Sequence, residues 1–130
     1  MSCNKISGTF SDTPIAFSSQ ALIYLSSNKF KRAPPILQVK VRLLFLSSNM
    51  SQNTFLCLMA NARYLSFIDL SNSLLSGEIH NDYWKYMYHL EFLNMSNNKL
   101  SRTLPSFDEL KQVRLVHLSN NGFQENYHNV

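Results

Sequence analysis

Two phrases 25 positions apart order their hydrophobic and polar residues alike: LSFIDLSNSLLSGEI, Leu65 to Ile79, and LEFLNMSNNKLSRTL, Leu90 to Leu104. In each, apolar side chains alternate over a few residues and a Ser- and Asn-rich turn follows. Such alternation predicts a short strand with one buried face. The pattern returns three more times, as QALIYLSSN, VRLLFLSSN and VRLVHLSNN. Aligned on the residue that ends each phrase, the copies fall at Asn28, Asn49, Ser73, Asn98 and Asn121. Asn4 marks a further unit of which only the second half is present, NKISGTF. The steps between these positions are 24, 21, 24, 25 and 23 residues. A period of this size predicts stacked units, each burying its apolar face only against its neighbours.

The template L-x-x-L-x-L-x-x-N at a period of 20 to 29 residues is the leucine-rich repeat signature. It predicts one domain over residues 1–130. The fold is an α/β leucine-rich repeat right-handed solenoid with a parallel β-sheet on its concave face. The convex face should hold extended segments and short 3₁₀ or helical turns. Strand side chains alternate, so template positions 4 and 6 form the core rows. These are Ile23 and Leu25, Leu44 and Leu46, Ile68 and Leu70, Leu93 and Met95, Val116 and Leu118. Position 1 adds Val41, Leu65, Leu90 and Val113. The Asn after each strand should turn inward and bond the backbone of the turns, because a buried amide must be satisfied. Ser73 is shorter, which makes the third unit a weak point. Asp82–Leu90 and Asp108–Val113 could each form a helical turn, whereas Pro34-Pro35 forbids a helix in the first connection.

In the second half of each unit, NKISGTF, LLSGEI and LSRTLPSF place Gly8, Gly77 and Pro105 where an L-S-G-x-I-P phrase has them. That phrase resembles the plant-specific class of leucine-rich repeats. The stretch LSSNKFKRAPPILQVKVRLLFLSSN, then TFLCLM and LSFIDLSNSLLSGEIHNDYW, resembles plant receptor-like proteins in the same order. In particular it is similar to ectodomains of the fungal-xylanase-receptor type. The resemblance implies a cell-surface receptor with a long repeat ectodomain, one membrane helix, a short tail and partner kinases. Against that pattern, the chain lacks a signal peptide, caps, a membrane helix and a tail, and is expected to be an internal slice of a receptor. His80 replaces the repeat Pro, and Arg32, Asn53, Arg102 and Glu125 replace the repeat Gly. Tyr83 stands where the resemblance expects a Cys before Trp84, so Cys57 is expected to be a free, largely buried thiol.

Composition narrows the field further. Apolar residues make up 45% and charged residues 15% of the 130, which is not a disordered composition. The net charge of +4 reads as a mildly basic surface. Its one basic cluster, Lys29, Lys31 and Arg32, has no nucleic-acid motif around it. No cofactor or metal is expected: two cysteines and four histidines show no ligand spacing. No run of 18 apolar residues exists to span a membrane. Nucleophile elbow, Walker loop, HExxH and kinase phrases are all absent, so no enzyme is expected.

The remaining strand positions carry the functional expectation. Position 5 gives Tyr24, Phe45, Asp69, Asn94 and His117, a chemically varied column suited to ligand binding on the concave face. Position 3 gives Leu22, Leu43, Phe67, Phe92 and Leu115, an apolar ladder expected to stiffen the sheet. Trp84 is expected in the convex-side core. Two Asn-x-Ser acceptors occur: Asn49, a ladder residue whose glycosylation would break the turn, and Asn94, on the exposed column. The function expected is recognition of a protein or peptide, with a possible co-receptor kinase, at the outer face of the plant plasma membrane in defence or development. The alternatives are a secreted polygalacturonase-inhibitor-like protein and a non-functional receptor fragment.

Overall fold

A computed structural model describes residues 2–8, 21–30, 41–49 and 63–124. Ten short strands and one 3₁₀ turn lie in these residues: β1 (Ser7–Gly8), β2 (Leu22–Tyr24), β3 (Lys29–Phe30), β4 (Leu43–Phe45), β5 (Phe67–Asp69), β6 (Ser76–Gly77), η1 (Asn81–Tyr86), β7 (Phe92–Asn94), β8 (Lys99–Thr103), β9 (Leu115–His117) and β10 (Gly122–Gln124). One strand per repeat, in the order β2-β4-β5-β7-β9, forms a five-stranded sheet. All its pairings are parallel and in register, residue for residue along the template. Parallel strands need crossover connections, which run right-handed. Each repeat is therefore one turn of a solenoid.

The core rows follow the alternation. Ile23, Leu25, Leu44, Leu46, Ile68, Leu70, Leu93 and Met95 are buried, and so are Val41, Leu65 and Leu90 beneath the strand starts. In the last repeat Val113, Val116 and Leu118 pack against this core but are only partly buried.

The second halves of the repeats make further parallel pairings, β1 with β3 and β10-β8-β6. The expected extended segments thus pair into small sheets of their own. Of the two expected helical turns, the first is η1, with Trp84 fully buried and its ring 5.4 Å from that of Phe107. The second, Asp108–Val113, is two linked tight turns closed by Leu110 N–H to Phe107 O and Val113 N–H to Leu110 O. Among the described residues the solenoid holds no longer helix, and none is long and apolar enough to cross a membrane. Pro34-Pro35, Arg32, Asn53, Cys57 and Glu125 lie outside the described residues.

The asparagine ladder joins the turns. Asn98 donates through Nδ2 to Leu70 O and Met95 O at 2.9 Å and to Ser96 O at 3.1 Å. Its Oδ1 accepts from the N–H groups of Ser73 and Leu75, both at 3.0 Å. Asn49 and Asn121 likewise bond carbonyls of their own repeat and the one before. Ser73 holds its place with a single hydroxyl proton, its Oγ 3.0 Å from Ser71 O and 3.4 Å from Leu46 O. One proton cannot serve both carbonyls at full strength, so the third joint is the weak one. Before each ladder residue the chain takes a left-handed turn, with φ between 54° and 57° at Cys3, Ser27, Ser48, Asn72, Asn97 and Asn120. Only in the Ser73 repeat does the next residue, Leu74, also have positive φ among the described residues, at 47°.

Candidate ligand-recognition face

The register sets Tyr24, Phe45, Asp69, Asn94 and His117 side by side across the sheet, as the spacing predicts. Their column nevertheless divides. Tyr24 and Phe45 stack with ring centroids 4.6 Å apart and planes 8° from parallel. From Phe45 the aromatic row leaves the column and steps diagonally to Phe67, 4.8 Å away, at position 3 of the next strand. Phe67 stacks on Phe92 at 4.0 Å and 10°. Phe92 meets His117, back in the column, at 5.8 Å. The result is one row of rings from β2 to β9: Tyr24, Phe45, Phe67, Phe92, His117. Sequence reasoning treated positions 3 and 5 as separate ladders and missed it. The signal was present, since both positions face one side and diagonal neighbours are within reach of aromatic rings.

Asp69 and Asn94 take a different part. Asp69 Oδ1 accepts from Ser71 N–H at 3.0 Å and from Ser71 Oγ–H at 2.8 Å. Asn94 Oδ1 accepts the same pair from Ser96, at 3.1 and 2.7 Å. These are Asx turns, which fix the chain as it leaves the strand. Asp-Leu-Ser and Asn-Met-Ser spell them in the sequence.

Beside the row lies an open depression of about 340 Å³. Leu43, Phe67, Phe92 and Leu115 form its apolar floor, and Ser66, Glu91 and Arg114 its rim. Glu91 and Arg114 pair at 3.6 Å, an exposed contact worth little to stability. Leu22, Tyr24 and Leu115 are roughly half exposed, at 54%, 46% and 47%, so the face is both apolar and open. No group of three metal-ligating side chains occurs among the described residues.

A parallel solenoid with one strand and one ladder joint per turn, an asparagine in every described repeat but that of Ser73, is a leucine-rich repeat. The Leucine Rich Repeat family model matches residues 89–110, the repeat that carries β7, Asn98 and β8. The fold is that of a leucine-rich repeat solenoid, and the chain is similar in sequence to a plant receptor-like protein. It is 34% identical over 92 residues to Receptor-like protein 54 of Arabidopsis thaliana. That match covers 71% of this chain and 12% of the relative's length.

Proposed function

We propose that this chain forms a recognition segment of a plant cell-surface receptor-like protein, and that its sheet face contacts a protein or peptide in defence or developmental signalling. The observation that carries the reading is the ring row from Tyr24 to His117 beside an apolar depression. Aromatic side chains are enriched in interface cores, and Tyr is enriched among the residues that dominate binding energy. The stacking also selects the partner. Rings stacked on one another turn their faces inward and present their edges, which carry the positive side of the quadrupole. A flat sugar ring finds few free faces to stack on. Apolar side chains and backbone carbonyls of a peptide fit the edges.

Size limits what these repeats do alone. Five strands about 4.8 Å apart make a strip roughly 20 Å wide. That is a few hundred Å² in projection, below the roughly 800 Å² per partner of a standard interface. In this reading the repeats supply part of a longer surface, and a membrane-borne partner kinase passes the signal on. The finer kinship proposed is with receptors of the fungal-xylanase type.

The test exchanges these repeats into an intact receptor-like protein with a measurable ligand response. Tyr24→Ala with Phe45→Ala is expected to reduce that response at least tenfold, while Lys111→Ala, in the turn outside the five-stranded sheet, leaves it intact. An equal loss in the control, or none in the pair, ends the reading.

A further inference from the structure

We infer that Asn94 is an N-glycosylation site, and that its glycan divides the sheet face, leaving the Tyr24 end open for docking and covering the His117 end. The inference rests on the cell-surface reading, because only a chain that enters the secretory route meets the transferase. In that reaction the Asn Nδ2 bonds to C1 of an oligosaccharide carried on a lipid pyrophosphate. The C1–oxygen bond breaks, the lipid pyrophosphate leaves, and the amide gives up one proton. The acceptor nitrogen must therefore be open and free of other duties in the folded product.

The chain's two acceptor phrases differ on that point. Asn49 is 2% exposed. Its Nδ2 serves Leu25 O and Leu46 O at 2.9 Å and Ser47 O at 3.3 Å. A sugar there leaves one proton for three carbonyls and has no space, so a chain modified at Asn49 cannot close the joint between β2 and β4. Asn94 is partly exposed on the sheet face. Its Oδ1 is fixed by two donors from Ser96, which sets the orientation of the amide. Its Nδ2 makes no hydrogen bond among the described residues. On the sheet, Asn94 pairs with Asp69 on one side and His117 on the other. A glycan there spreads over β7 and its neighbours β5 and β9, while Phe45 and Tyr24 lie two and three strands away.

Asp69 supplies the control. It makes the same two bonds to Ser71 that Asn94 makes to Ser96. Asn94→Asp therefore removes the acceptor and retains the turn, at the cost of a like charge beside Asp69. Ser96→Ala removes the acceptor phrase without that charge.

The full chain is fused to a secretory leader, expressed in plant cells and analysed by glycopeptide mass spectrometry of the soluble secreted product. The expected result is glycan on Asn94, none on Asn49, and its loss in both variants. Soluble product unmodified at Asn94, or modified at Asn49, overturns the assignment. Hydroxyl-radical labelling then compares the glycosylated chain with Asn94→Asp. Protection at His117 with unchanged labelling at Tyr24 is expected, and equal labelling of both residues in the two proteins overturns the division of the face. A chain glycosylated at Asn94 whose aromatic row proves irrelevant to ligand response contradicts the recognition reading and leaves this one standing.

Discussion

Tyr24 and Asp69 occupy the same template position two strands apart, yet one is turned to solvent and the other to its own backbone. Tyr24 is nearly half exposed and touches its neighbour in the row, Phe45, through one ring stack. Asp69 spends an oxygen on Ser71 N–H and Oγ–H and holds the exit of its strand. A column that looks uniform by periodicity thus contains residues placed for contact and residues placed for the fold. Ser at position 7 is common to all five strands, as Ser26, Ser47, Ser71, Ser96 and Ser119. The division is set at position 5: an Asp or Asn there accepts from that Ser, and an aromatic ring cannot.

The division is tested first where the expected effect is largest. Removing the acceptor in Asp69→Ala leaves Ser71 N–H without its partner in a part-buried site. Hydrogen bonds to a charged group are worth about 1.5–3 kcal/mol, and a loss of that size is expected in urea titration. Arg102 gives a gain of similar scale. It stands at the repeat's Gly position with φ at 66°, where Gly8 and Gly77 have 119° and 95°. A left-handed conformation costs a residue with a side chain roughly 1–2 kcal/mol. Arg102→Gly recovers about that much in the same titration, less the weak exposed contact to Glu78. Ser73→Asn comes next. A second amide proton and a carbonyl acceptor complete the joint, adding about 0.5–1.5 kcal/mol. Both stabilising changes lie away from the ring row, so together they give a background in which Asp69→Ala stays folded for measurement.

Tyr24→Ala is expected to cost stability less than Asp69→Ala, chiefly the stack at about 0.5–1.5 kcal/mol. The smallest effect belongs to η1. Asp82 and Lys85 are 2.7 Å apart. Their hydrogen bond and mutual charge hold the Asp82 carboxyl below its ordinary 3.8 and Lys85 above its ordinary 10.5. A lowered carboxyl stabilises above 3.8 and loses that contribution as pH falls further. A raised ammonium stabilises below 10.5 and loses it as pH climbs. Both groups are fully exposed, so salt screens the pair. Asp82→Asn is expected to leave the urea midpoint at neutral pH unchanged.

The repeat, the sheet register and the core rows were legible because a period of two within a period of about 24 fixes which side chains face inward. Asn98 and Ser73 were legible as a strong and a weak joint, because only the amide has enough donors. The ring row was not, since it crosses template columns and depends on diagonal contact between Phe45 and Phe67. The Asx turns at Asp69 and Asn94 were written as Asp-x-Ser and Asn-x-Ser, but a column read only by exposure conceals them. The second parallel sheet, β10-β8-β6, was read only as extended chain, because strands of two to five residues with mostly exposed side chains carry no apolar alternation of their own.

The most direct measurement places Tyr24→Ala and Asp69→Ala separately in the grafted receptor and records ligand response per correctly delivered molecule. Tyr24→Ala is expected to reach the surface at normal levels and respond at least several-fold less. Asp69→Ala is expected to lower the amount delivered and leave the response of each delivered molecule near normal. The opposite pattern, or equal losses in both, contradicts the division of the face into contact and fold residues.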